Sequence, residues 1–424
     1  MPSPPQGYYA ATAGPPSTRP ILQHALRADV CVVGGGFTGL CAALHLAEKG
    51  AVVALVEAEA IGFAASGRNG GQIHTGLRKE QAELERWLGP VHAHDLWSLT
   101  EESKSLVRSL VARHAIACEL KPGLVIAAHN ARALAALADD TAYLARFYGY
   151  YAARMMDAEE TRASLGTSIY PGARFDSGGG HLHPLKFVRG LAAAAEKAGT
   201  AIWEQSPAIA LEPQDNHVIV HTHEGSITAS RVILATDAFS GILVPELAPF
   251  IGHVESFVTA TAPLPPDLAE AILPSDAAVA DTRHVLDYYR KSADGRLLFA
   301  GRESYFRPPR DIAGLVRPRM LHVYPALESV PTEYAWSGTV GITRTRMPHF
   351  GRLGDRVLFA HGYSGQGVAL ACLGGKLMAE AALGEPERFD VFARVPAERF
   401  PGGESLRKPL IAAALAAYKV IDAL

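Results

Sequence analysis

The chain has 424 residues, 48% of them hydrophobic, and a formal charge of −3 from 40 basic and 43 acidic side chains. That length suits two domains with sizeable cores, and the absence of a basic block excludes nucleic acid as the main partner. The four cysteines show no regular spacing, which excludes a disulfide framework or zinc site and fits a reducing compartment. The Pro-rich start lacks the apolar core of a signal peptide, and no apolar run reaches the roughly 18 residues of a membrane span. A soluble cytoplasmic protein without an integral membrane segment is expected.

The elements follow in chain order. Asp29 to Val33 reads as a buried parallel strand. Gly34, Gly36 and Gly39 then form GxGxxG, and Thr38 to Lys49 has helical spacing with a Leu40, Leu44, Ala47 core stripe. Gly50 closes the helix, and a second strand, Ala51 to Val56, ends at Glu57. An acid about 20 residues beyond the glycines completes a dinucleotide fingerprint. Backbone N–H groups at the helix start, with Phe37 and Thr38, favour a pyrophosphate, and Glu57 accepts from a ribose. The stretch "ASGRNGG", Ala65 to Gly71, is too glycine-rich for an ordinary surface turn.

From about Gln81 to Gly166 the pattern is mostly helical, and Asp157 with Glu160 makes a capping box. "GGGHLHPLKFVRGLAAAAEKAG" predicts a glycine loop and then a helix with Pro184 in its first turn. The pair His181 and His183 has ligand-like spacing but no third partner, so no metal is expected. Short alternating strands lead to a buried strand at Val232 to Ala235. "HVLDYYRKSADGRLLFAGRE" predicts a hairpin turning at Ala293, Asp294 and Gly295. "DRVLFAHGYSGQGVALACLGGKLMAEAAL" predicts a strand, a glycine-rich turn and a long helix.

Together "ASGRNGGQ", "HLHPLKFVRGLA", "VILATDAF", "YYRKSADGRLLFAGR", "MPHFGRL" and "GYSGQGV" resemble the D-amino-acid oxidase-like superfamily of FAD enzymes, in its γ-glutamylputrescine oxidase-like branch. The resemblance runs from about Tyr8 to Leu383. It implies an α/β fold, α+β overall: a Rossmann-type FAD-binding domain (28–90, 170–248 and 338–390) with an inserted mixed sheet-and-helix substrate domain (91–169 and 249–337). Residues 1–27 form an N-terminal arm and 391–424 a helical tail. It also implies that Gly67, Gly70 and Gly71 are glycines because FAD packs against them. Ser66, Arg68, Asn69 and Gln72 contact phosphate or flavin. Ala235 and Thr236 mark the second FAD-contacting strand end, and Gly362, Gly365, Gln366 and Gly367 aim a helix N-terminus at the flavin.

The implied chemistry is oxidation of a C–N bond in an amine or amino-acid substrate by hydride transfer to flavin N5, giving an imine that hydrolyses. Oxygen or another acceptor then takes the electrons. Tyr289, Arg302 and Tyr363 are the expected catalytic residues; His74, Tyr288, Arg290 and Trp336 are the expected substrate contacts. On the hairpin, Leu286, Tyr288 and Arg290 alternate with Asp287, Tyr289 and Lys291, and the pattern leaves open which set faces the flavin. Arg302 is the expected partner of a substrate carboxylate. His74 stands in a stretch similar to those that link FAD covalently in dimethylglycine and sarcosine dehydrogenases, but its flanks differ, so noncovalent FAD is expected. Sarcosine oxidases carry lysines where Ala369 and Leu298 stand here, which disfavours a small glycine derivative and leaves oxidase or dehydrogenase open. Two alternatives remain at this point: oxidation of a 2-hydroxy acid or polyol phosphate, for which Arg283, Arg290, Lys291, Arg302, Arg307 and Arg310 are candidate ligands, and a flavin-binding subunit without turnover.

Overall fold

The structure, a computed structural model, describes residues 7–304 and 308–401. Arg307 and the amphipathic segment expected from Leu406 onward lie outside the described residues.

Two sheets organise the fold. The first has eight strands, and Ala25–Val33 lies at its centre, parallel to Val53–Val56 on one side and Ser226–Leu234 on the other. Residues 30–33, 53–56 and 232–234 are apolar and buried, whereas the first halves of the two longer strands carry polar residues and are partly exposed. Val357–His361 extends the sheet in parallel, and His349–Leu353 closes that edge antiparallel. Ala201–Trp203 forms the other edge. The helix Phe37–Glu48 packs between Pro184–Lys197 and Gly367–Ala382 over this sheet. Leu40 and Leu44 are fully buried there, and Ala47 nearly so.

The second sheet has nine strands in mixed pairing. Gly252–Thr261 lies between Leu297–Ser304 and Thr332–Ile342. The expected hairpin is present as Tyr288–Lys291 and Leu297–Ser304, closed by Ser292 and Arg296. Helix Ile312–Val323 covers the back of this sheet around Phe257, Tyr289 and Phe299.

Two expectations change. The glycines Gly178, Gly179 and Gly180 belong to the strand Ala173–His181, which pairs with Lys121–Ala127 in the second sheet. Glycine is needed because a Cβ at Gly180 would sit 2.6 Å from the Lys121 carbonyl oxygen, a close approach between backbones rather than a loop. The chain therefore changes sheets inside the 170–248 segment, and residues 338–342 likewise end a strand of the second sheet. The stretch from Gln81 to Gly166 is helical except for strands Lys121–Ala127 and Ala153–Met156. The capping box of Asp157 and Glu160 is present.

The arm is docked. Tyr8 and Tyr9, each 2% exposed, open a short helix, Tyr8–Thr12. The Tyr8 hydroxyl donates to Asp294 in the hairpin turn at 2.6 Å, and Thr12 Oγ1 lies 3.0 Å from His183 Nε2. One apolar turn thus ties the hairpin of the second sheet to the helix at Pro184.

Candidate active site

A cavity of about 510 Å³ lies between the sheets, lined from both. That is within the roughly 300–1,000 Å³ of small-molecule sites. Two helix N-termini open into it: Phe37 and Thr38 of one, Gly367 and Val368 of the other. The dipoles of both helices favour negative charge on a ligand at these ends.

The turn before the first helix is set by backbone contact. Gly34 has φ 111°, and a Cβ there would lie 2.6 Å from the Ala235 carbonyl oxygen. Gly39 does not line the cavity; a Cβ on it would collide with the Gly34 carbonyl oxygen. Its absence lets the helix seat on the strand. Glu57 accepts from Gly35 N at 2.6 Å and Glu59 N at 2.9 Å, and its carboxylate lines the cavity. Burial raises its pKa and these backbone donors lower it. Ala235 and Thr236 line the opposite wall.

The segment Ala65 to Gly71 is a self-bonded loop. Ser66 Oγ accepts from Phe37 N at 3.0 Å. Asn69 donates to the Ala65 carbonyl at 2.9 Å and accepts from Gly71 N at 2.7 Å. Arg68 donates to the Phe63 carbonyl at 2.7 Å, and its own carbonyl accepts from Trp336 Nε1 at 2.9 Å. Ser66, Arg68, Asn69, Gly70 and Gln72 line the cavity. The glycines also have a reason within the protein, whose own atoms exclude the Cβ atoms. At Gly67 one would strike the Gly62 carbonyl, at Gly70 it would lie 2.6 Å from the Tyr288 ring, and at Gly71, φ 74°, it would strike the Leu182 carbonyl.

The hairpin resolves its faces. Tyr288 and Leu286 line the cavity, and the Tyr288 hydroxyl pairs with Ser256 Oγ at 3.0 Å. Tyr289, expected as catalytic, lies behind the sheet, 1% exposed and stacked on Phe299 at 5.3 Å. Arg290, expected at the substrate, is 3% exposed and donates to the Gly70 carbonyl at 2.8 Å and Tyr9 hydroxyl at 3.2 Å. It anchors the loop rather than lining the cavity. Trp336 is likewise buried, against Tyr9 at 5.2 Å. Tyr363 does line the cavity, but its hydroxyl pairs with Thr38 Oγ1 at 2.9 Å and burial raises its pKa. That places the hydroxyl at the first helix.

Arg302 is the largest correction. Simple alternation with Leu298 and Ala300 would turn it toward the cavity. The register against Gly252–Thr261 shifts between Phe257 and Val258, so Gly301 is an extra residue. A bulge reverses the faces beyond it. Arg302 then pairs with Phe257 on the far side, near Arg319 and Asp287, and Glu303 lines the cavity instead.

His74 lines the cavity with its Nε2 3.1 Å from Gln72 Oε1. Burial and nearby Arg78 push its pKa down to about 4, so it is neutral at physiological pH. Gln72 is held by the Val279 carbonyl at 2.8 Å. Gly362 and Gln366 shape the last turn without lining the cavity, whereas Gly365 and Gly367 reach it. His181 bonds the Asp276 carbonyl and His183 caps a helix, which accounts for both. Among the described residues, the cations expected to hold a phosphate do not converge. Arg283 pairs with Asp281, Lys291 donates to the Ala269 carbonyl, and Arg310 lies outside the cavity lining.

Besides Glu59, whose N–H bonds Glu57, four charged cavity residues lie outside the expected set. Asp237, at φ 40°, accepts from Gly362 N at 2.7 Å and joins the second strand end to the last glycine turn. Burial raises its pKa. Arg78, Glu303 and Arg346 line one region of the cavity. The acid in "LATDAF" was a local signal for Asp237; the other three meet only in the fold.

These residues fit FAD: one helix N-terminus for the pyrophosphate and one for the flavin, an acid at the second strand end, and a wall formed by Tyr288. Residues 29–381 match the family described as FAD dependent oxidoreductase. The chain is 39% identical over 419 residues to γ-glutamylputrescine oxidoreductase of Escherichia coli K12, covering 98% of each. Glycine oxidase from Geobacillus kaustophilus superposes with a TM-score of 0.73 at 21% identity, over 84% of this chain and 95% of that one. L-proline dehydrogenase from P. horikoshii gives 0.71 at 19%, over 88% and 98%. The chain belongs to the FAD-dependent oxidoreductase family.

Proposed function

We propose that the protein oxidises the C–N bond of an amine that also carries a carboxylate, a γ-glutamylputrescine-like substrate. The observation that carries this reading is the pair Arg78 and Arg346, two guanidinium groups opening into the same cleft. The full-length likeness to the E. coli enzyme supports it.

Bound FAD supplies the two-electron acceptor for the substrate's hydride. The protein's part is binding and placement. Tyr288 and Leu286 wall the chamber, and the Ser256 hydrogen bond fixes the tyrosine. Neutral His74 and Gln72 offer polar contacts without a charge that would hold the reacting amine protonated. The two helix N-termini and the Glu57 carboxylate hold the cofactor, noncovalently in this reading, since His74 is engaged with Gln72. Oxygen or another oxidant takes the electrons onward; Leu298 is 3% exposed in the core, so it offers no charge for that step. The cytoplasm is the proposed compartment, consistent with four unpaired, buried cysteines. No described helix is long and apolar enough to cross a membrane.

The test is product identity. Turnover of γ-glutamylputrescine should release one ammonia and one aldehyde per two electrons transferred, because the imine formed adds water and expels nitrogen. Electron transfer without ammonia, or turnover of 2-hydroxy acids alone, would overturn the reading.

A further inference from the structure

The cleft contains a charged trio. Arg78 follows the strand Gln72–Ile73, Glu303 is on Leu297–Ser304, and Arg346 is in the turn before His349–Leu353. Two backbone irregularities aim them. The bulge at Gly301 turns Glu303 into the cleft. Arg346 has φ 61°, a left-handed conformation that disfavours an L side chain by roughly 1–2 kcal/mol. Such a conformation persists where the surroundings impose it, often at ligand sites.

The three side chains act on one another without closing a pair. Arg78 is exposed in the open cleft, where desolvation by the surrounding walls and Arg346 lower its pKa and Glu303 raises it. Burial raises the pKa of Glu303, and both arginines lower it. Among the described residues, none of the three side chains has a hydrogen bond or ion pair. Arginine only donates and an ionised glutamate only accepts. A plain carboxylate ligand would satisfy the arginines but meet Glu303 as a like charge. A ligand with an anion and a cation close together satisfies all three.

We propose that Arg78, Glu303 and Arg346 read the α-amino-acid head of the substrate, its carboxylate on the arginines and its ammonium on Glu303. This rests on the substrate reading above and assigns the residues that make it selective. The two nitrogens of such a substrate need opposite treatment. The nitrogen being oxidised must be neutral, because an ammonium has no lone pair to form the C=N bond. An ionised glutamate favours the protonated form. Glu303 therefore suits the nitrogen that does not react, while the region of Tyr288 and neutral His74 suits the one that does.

The experiment is anaerobic flavin reduction in the holoenzyme with three amines that share the reacting end: γ-glutamylputrescine, N-glutarylputrescine, which lacks the α-ammonium, and N-butanoylputrescine, which lacks both charges. Wild type should need roughly tenfold more of the glutaryl than the γ-glutamyl amine for half-maximal reduction, and more again of the butanoyl amine. Glu303→Gln should abolish the first difference, and Arg78→Gln or Arg346→Gln should shrink the second, with FAD content unchanged. Equal use of the γ-glutamyl and glutaryl amines by wild type would overturn the proposal and needs no variant. So would a Glu303→Gln enzyme that holds FAD and keeps the wild-type ratio. Either result leaves C–N oxidation standing; flavin that none of the amines reduces would remove both readings.

Discussion

Arg290 offers a sharp separation between a substrate cation and a loop anchor. Its Nε donates to the Gly70 carbonyl at 2.8 Å, Nη1 to the Lys291 carbonyl at 3.2 Å and Nη2 to the Tyr9 hydroxyl at 3.2 Å. Arg290→Met retains most of the stem packing and removes all three bonds. Hydrogen bonds from a charged donor contribute about 1.5–3 kcal/mol, and a buried carbonyl left unpaired costs a similar amount. The 2.8 Å bond dominates, so a loss of about 3 kcal/mol is expected, roughly a hundredfold in an equilibrium constant. Because Gly70 lines the cavity, part of that loss should appear as weaker FAD binding, at least about tenfold by fluorescence titration of apoprotein. In flavin-loaded variant, half-saturation for the amine in anaerobic reduction should stay within about threefold, less than 1 kcal/mol. Unchanged FAD affinity with substrate binding weakened tenfold or more would refute the anchor role and return Arg290 to the substrate.

Tyr289→Phe should leave the rate of flavin reduction within about twofold, since its ring is in the core behind the sheet, whereas Tyr288→Ala should slow it; stopped-flow absorbance reads both. Acid precipitation should leave yellow FAD in the supernatant, and a yellow pellet would show a covalent link. The buried histidines His181, His183 and His361 have pKa values pushed down by burial to about 4, 3 and 3. The unfolded chain then binds more protons than the native one below about pH 6.5, so stability should fall as pH drops from about 6.5 toward 4. Asp281, raised to about 6 by burial and Asp287, opposes this in part. Denaturant midpoints measured across that range check the sign, and a flat profile would contradict it. Gly71→Ala should give apoprotein or insoluble chain, because its Cβ would strike the Leu182 carbonyl at positive φ; full FAD content by absorbance would disprove this.

The strand–turn–helix at Asp29 to Glu57 was legible because its chemistry is local: each glycine, the helix stripe and the acid lie within one unit. The hairpin and the last glycine turn were legible for the same reason. What failed depended on register. Period-two alternation could define the two faces of Tyr288 and Tyr289 but not which met the cavity, since that is fixed by the sheet's neighbours. The bulge at Gly301 is a single inserted residue whose one sequence mark is a glycine inside a strand, and it exchanges Arg302 for Glu303. Arg290 looked like a ligand because a buried arginine bonded to backbone has the same sequence appearance as one awaiting an anion. Arg78 and Arg346 lie far apart in the chain, and only the packing of both sheets brings them to one cleft.

The central claim, that this cleft holds FAD for oxidation of a carboxylate-bearing amine, is tested most directly by anaerobic titration of the purified holoprotein with γ-glutamylputrescine. The account predicts that the flavin absorbance bleaches fully, with about one equivalent of amine consumed per flavin, and that 2-hydroxy acids and polyol phosphates leave the flavin oxidised. Flavin that stays oxidised with the amine, or that is reduced by a hydroxy acid instead, would contradict it.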